Sequence, residues 1–135
     1  VKGLVLDSAA NGGNLLNLEG AVAVTVQGNA AAVSVTGYTS AELTYTINNG
    51  LLTFAGTKAS SLTAAQETDI ALTQILGASK ALVFTFTNSD ATVDSYVVEN
   101  GASAAVNDTV VKLIGTTALG MESSGVAALG YVAIS

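Results

Sequence analysis

The sequence predicts a mainly β domain, a sandwich or stacked-sheet arrangement of short strands with one inserted α-helix at about residues 63–76. Three observations carry that expectation. β-Branched residues alternate with small polar ones in several short runs. Asn and Gly close those runs, as tight turns require. Only one segment repeats its apolar residues at helical spacing. At 135 residues the chain can bury a single core, and neither a composition shift nor a long internal repeat divides it. It reads as one β-rich domain over 1–135, with Thr/Val/Ala-rich strands in 1–48, a strand–helix–strand core in 49–119 and a C-terminal segment in 120–135.

Taken in order, Val22, Val24 and Val26 alternate with Ala23 and Thr25, and Val33 and Val35 alternate with Ser34 and Thr36. Leu43, Tyr45 and Ile47 do the same with Thr44 and Thr46, giving three half-buried strands. Gly28-Asn29 and Asn48-Asn49-Gly50 supply residues that accept positive φ cheaply, so Glu42–Ile47 and Leu51–Ala55 form a hairpin. Thr63-Ala64-Ala65-Gln66 fits a capping box. Ala65, Leu72, Ile75 and Leu76 then share a helical face with Ile70 at its margin, and Gly77 ends the helix. Glu67 and Asp69 lie near its N-terminus, where the helix dipole favours acids. Strands resume at Leu82–Thr87, Ser95–Glu99 and Thr109–Gly115, and the chain closes on the apolar run Tyr131–Ile134.

Composition removes most chemistry. The chain has no His, Cys, Trp, Pro or Arg, so a triad base, a thiolate nucleophile, an imidazole zinc ligand and an arginine phosphate clamp are all missing. It does not read as an enzyme. A net charge of −6 disfavours nucleic acid and anionic membrane surfaces as partners. The longest charge-free stretch, between Glu19 and Glu42, is broken by Gln27, Asn29 and glycines and alternates like strands, so membrane insertion is not expected either. The opening residue is Val1, which suggests a processed product or an excerpt, with no signal peptide in view.

Acidic and amide-rich loops hold what site chemistry there is. Asn88, Asp90 and Asp94 fall in one inter-strand turn, and Asn107 with Asp108 falls in the next. Calcium takes about six to eight oxygens, chiefly from such groups, which makes these five residues candidate ligands. The competing reading is turn formation alone, since Asn and Asp build turns unaided and no EF-hand spacing is present. The aromatic residues are spread along the strands and read as packing.

Several segments in order invite comparison with a known group. Asn49-Gly50-Leu51-Leu52-Thr53-Phe54-Ala55-Gly56-Thr57-Lys58-Ala59 leads into the helix at Leu62–Leu76. Leu82-Val83-Phe84-Thr85-Phe86, Asp94-Ser95-Tyr96-Val97-Val98 and Asn107-Asp108-Thr109-Val110-Val111-Lys112-Leu113-Ile114-Gly115 follow. This order resembles the C-terminal module of bacterial type I-secreted surface proteins, the repeat-in-toxin and S-layer-like group, over roughly half the chain. The resemblance implies export in one step directed by an uncleaved C-terminal region, a calcium-rich extracellular or cell-surface setting, and a structural, self-assembling role. The glycine-rich calcium repeats of that group are missing from this sequence.

Only 10% of the residues are charged, so the exterior must be largely Thr, Ser, Asn, Gly and Ala, with little repulsion between copies. Uncharged strands such as Ala21–Gln27 and Ala31–Thr36 lack the Lys and Pro that guard sheet edges. The expectation is a self-assembling extracellular filament or surface-layer subunit, its partner another copy of itself. The terminal apolar segments Lys2-Gly3-Leu4-Val5-Leu6 and Tyr131-Val132-Ala133-Ile134 are the candidate intersubunit strands. The alternative is an adhesin module of a larger secreted surface protein, binding a surface glycan or other ligand near the 88–94 and 99–108 loops.

Overall fold

A computed structural model describes residues 14–17, 24–101, 108–123 and 131–134. It is mainly β with one helix, as the alternation predicts. Strand β1 is Asn14–Asn17, β2 Thr25–Val26, β3 Ala30–Ser34, β4 Thr44–Asn48 and β5 Leu51–Ala55. Helix α1, Ala64–Ile70, continues into a π turn at Ala71–Ile75. Then come β6 Lys80–Thr87, β7 Val93–Asn100, β8 Thr109–Leu113, β9 Met121–Ser123 and β10 Tyr131–Ile134. Seven strands make the main sheet, ordered β3-β4-β5-β6-β7-β8 with β2 added against β6; β1, β10 and β9 form a smaller sheet in that order.

The β4–β5 hairpin turns through two residues, Asn49 and Gly50, with φ of 48° and 71°. Two consecutive positive φ values make a turn whose twist matches that of paired strands. Gly50 is also confined by its surroundings, since a Cβ there would fall 2.6 Å from Val26 Cγ1 and 2.8 Å from Met121 Cβ. The turn is a junction as well as a corner. Asn49 N–H donates to Asn29 Oδ1 at 2.9 Å, and the Asn49 carbonyl accepts from Met121 N–H at 2.6 Å.

Period-two alternation divides the core between the two faces of the main sheet. Ala81, Val83, Val97 and Leu113 face one way and are covered by Val24, Ala118 and Met121. Ser95, on that same face, accepts from Ala118 N–H at 2.8 Å and donates to the Thr116 carbonyl at 2.7 Å, tethering the covering segment. Ile47, Leu52, Leu82, Phe84 and Val98 face the other way and meet Ala71 and Leu76 of the helical segment.

The capping box forms as the sequence predicts: Gln66 N–H donates to Thr63 Oγ1 at 3.2 Å and Thr63 N–H donates to Gln66 Oε1 at 2.9 Å. Of the predicted face, Ile70 and Leu76 are buried and Leu72 and Ile75 pack half-buried against the core; Ala65 does not. Ala65 is exposed, whereas Glu67 is buried together with Ile70 and Ala71. A uniform 3.6-residue period was assumed throughout, but the π turn, closed by Leu76 N–H donating to the Ala71 carbonyl at 2.8 Å, holds an extra residue. Leu76, just past that turn, still packs with Ala71 in the same core cluster.

Candidate functional site

The β6–β7 loop brings Asn88, Asp90 and Asp94 together, but as a closed hydrogen-bond network. Asp90 Oδ1 accepts from Thr92 N–H at 3.0 Å and from Thr92 Oγ1 at 2.6 Å, an Asx turn that holds its carboxyl below the usual range. Asp94, at the start of β7, is 3% exposed. Its Oδ2 accepts from Lys112 Nζ and Asn88 Nδ2, both at 2.8 Å, and its Oδ1 from Gly115 N–H, also at 2.8 Å. The Lys112 bond, with those from Asn88 and Gly115, pulls the Asp94 carboxyl down to about 2. Lys112 in turn lies 5.5 Å from the Tyr96 ring centre, and Tyr96 stacks on Phe84 at 5.1 Å.

These residues do not fit a calcium site. Both Asp94 oxygens already accept, an ammonium occupies the cation position beside Oδ2, and Asn88 presents its amide nitrogen rather than its oxygen. Among the described residues no cluster of three or more acidic side chains is assembled. Asp108 lies elsewhere, accepting from Gly101 N–H at 3.1 Å, and Asn107 falls outside the described residues. The two loops sit at opposite ends of β7. Seven residues of extended chain separate Asp94 from Gly101, roughly 23 Å, so the described ends of the 88–94 and 99–108 loops lie apart.

The predicted interface segments also resolve differently. Lys2, Gly3, Leu4, Val5 and Leu6 fall outside the described residues. Tyr131–Ile134 is the central strand of the smaller sheet, paired antiparallel with β1 on one side and β9 on the other. Both of its edges are thus occupied within the chain, and it has none to offer a neighbour. Among the described residues the main sheet ends in β3 at one edge and β8 at the other. Strand β3 is hydrogen-bonded to β4 on one side and has no strand on its outer side among the described residues. Its sequence is Ala-Ala-Ala-Val-Ser; every residue after Ala30 is exposed, and Val33 is 42% exposed. A register shift between Ala30 and Val33 is the one irregularity along it. At the opposite edge, β8 carries Lys112 and exposes Val110.

A further feature was not legible in the sequence. Parallel strands β5 and β6 pair only where Leu51–Leu52 meets Val83–Phe84. Beyond that point β5 stays bonded to β4, and β6 to β7, so the sheet is split. A cleft with two adjoining lobes of about 260 and 350 Å³ opens there, and Glu67 of α1 lines both, together with Ala59, Ser60 and Thr85. Burial alone pushes the Glu67 carboxyl up to about 7.

Comparison with protein family models, with curated proteins and with solved structures finds no match to this chain.

Proposed function

We propose that the protein is a structural subunit that assembles with copies of itself into an extracellular filament or surface layer through strand edges. The observation that supports this most directly is β3, an edge strand of the main sheet with no charged residue and no described partner on its outer side. Soluble proteins usually blunt such edges with Lys, Pro, short length or cover. Here a single register shift stands in for all of these. An incoming strand from a second copy would continue the sheet through backbone hydrogen bonds, which needs no side-chain charge and suits a chain with so few. The absence of His, Cys and Arg from the composition supports a non-catalytic role. The resemblance to type I-secreted surface proteins supports the extracellular setting.

Negative-stain electron microscopy of the purified chain tests this reading. Ordered fibres or sheets are expected, and a variant carrying Ala32→Lys and Val33→Lys is expected to stay dispersed while keeping the parent's circular dichroism. Dispersed parent protein, with or without calcium, would sink the proposal. So would a double variant that assembles as the parent does.

A further inference from the structure

We propose that the split between β5 and β6 is a binding site for a small primary ammonium group, such as an alkylamine or a lysine side chain, with Glu67 as its anion. Glu67 is only 8% exposed, yet its carboxylate has no hydrogen-bond or ion-pair partner among the described residues. A buried carboxylate normally recruits donors, as Asp94 does in the same molecule. Glu67 instead lines both lobes of a cleft.

The walls are suited to an ammonium rather than to a metal ion or an anion. Where pairing stops, Phe54 of β5 and Thr85 of β6 face the split with no ladder bond to each other among the described residues, so their carbonyl oxygens can accept and their N–H groups can donate there. Ser60 and the threonines bring hydroxyls, also acceptors. An ammonium carries three donors and no acceptor, so one carboxylate with surrounding carbonyls and hydroxyls satisfies it. A calcium ion would need several carboxylates, and the lobes contain one. Leu52, Phe54 and Phe84 give the cleft an apolar floor for an alkyl stem, and ring faces add attraction for a cation.

No other charged side chain lines either lobe. Lys58, next to the 3₁₀ turn at Ala59–Ser61, acts on Glu42, while Asp69 of α1 lines other grooves. Among the described residues, none brings a cation to either lobe. The volume admits a small molecule or a single side chain, not a folded partner.

Titration of the full chain with n-butylammonium, followed by amide chemical shifts at about pH 8, tests the assignment, with n-butanol as the neutral isostere. Saturable shifts are expected at Ser60, Glu67 and Thr85, at least tenfold weaker for butanol and for Glu67→Gln. Asp69→Asn should leave them unchanged, which separates the cleft from general attraction to an acidic protein. Affinity should also fall roughly tenfold or more at about pH 5.5, where Glu67 is protonated. The assignment is overturned if butanol binds as tightly, or if Glu67→Gln keeps a native spectrum and full affinity. Shifts confined to residues outside the cleft would overturn it too.

Discussion

Asp94 and Glu67 lie on the same side of the main sheet and are nearly equally hidden, at 3% and 8% exposure, yet their carboxyls are driven in opposite directions. Asp94 is met by an ammonium, a side-chain amide and a backbone N–H, and its charged form is held well into acid. Glu67 meets no donor, and its neutral form persists to about pH 7. Burial alone does not decide the fate of an acid; the donors that burial brings with it do. One carboxylate is a structural fastener between the β6–β7 loop, β7 and the turn after β8. The other carboxylate lines a cleft and accepts from no described side chain or backbone group.

Removing the fastener should have the largest effect. Asp94→Ala removes the acceptor shared by Lys112, Asn88 and Gly115 N–H, and of these the Gly115 N–H has no other acceptor among the bonds described, a loss that costs more than the bond itself. The expected melting temperature falls by roughly 10 °C, measurable by calorimetry. A fall of a degree or two would mean that the three donors are satisfied by water and that Asp94 resembles an ordinary surface acid.

Glu67→Gln should act in the opposite sense. A folded-state value raised from 4.5 to about 7 means that the native state binds more protons than the unfolded chain between those pH values. Glu67's contribution to stability is therefore intact below about pH 4.5 and is lost as pH rises through 7. The full shift corresponds to about 3 kcal/mol, and water at the open mouth of the cleft reduces that to about 1–2 kcal/mol. Urea denaturation at about pH 8 should find the Gln variant more stable by that amount, and at about pH 4 the two should coincide. Equal stability at the higher pH would show that Glu67 finds a partner in solution.

Much of the frame behind this contrast was legible from residue order. Asn49-Gly50 between alternating runs specified a two-residue hairpin, and Thr63 with Gln66 specified the helix start, because both signals act within four residues and owe nothing to distant chain. Asp94 was visible as a loop acid, a candidate calcium ligand or a turn residue, but its ion pair was not. Its partners Lys112 and Gly115 lie about twenty residues away, and only the β7–β8 register brings them to it. Glu67 reads from the sequence only as an acid favoured by the helix dipole, with nothing local to mark its burial. Its place over the split between β5 and β6 depends on long-range strand pairing, which leaves no mark on local periodicity. The fate of Tyr131–Ile134 was hidden for the same reason. Terminal and apolar describe a docked strand as well as an intersubunit one, and its pairing with Asn14–Asn17 spans nearly the whole chain.

Lys112→Met sharpens the contrast by moving Asp94 part of the way toward Glu67. Asn88 and Gly115 N–H remain as donors, so the Asp94 carboxyl should rise from about 2 without reaching the unperturbed range. In the parent, a depressed folded value gives stability that is present above the unfolded value of 3.8 and is lost as pH falls through 2. The variant should begin its acid transition about a pH unit higher, as seen by tryptophan-independent probes such as far-ultraviolet circular dichroism. An unmoved acid limb would assign the whole depression to Asn88 and the backbone.

Calcium is expected to have the smallest effect, and its absence is informative. For the ion to bind at Asn88, Asp90 and Asp94 it would have to expel the Lys112 ammonium, rotate the Asn88 amide and break the Thr92 bonds of Asp90. That exchange replaces satisfied partners with too few oxygens to complete a coordination shell. Millimolar calcium should therefore shift the melting temperature of the parent by less than about 1 °C, and by no more for Lys112→Met. A larger shift in the variant alone would show that the lysine is a built-in substitute for the ion, and that the loop's oxygens are arranged to hold a cation of either kind.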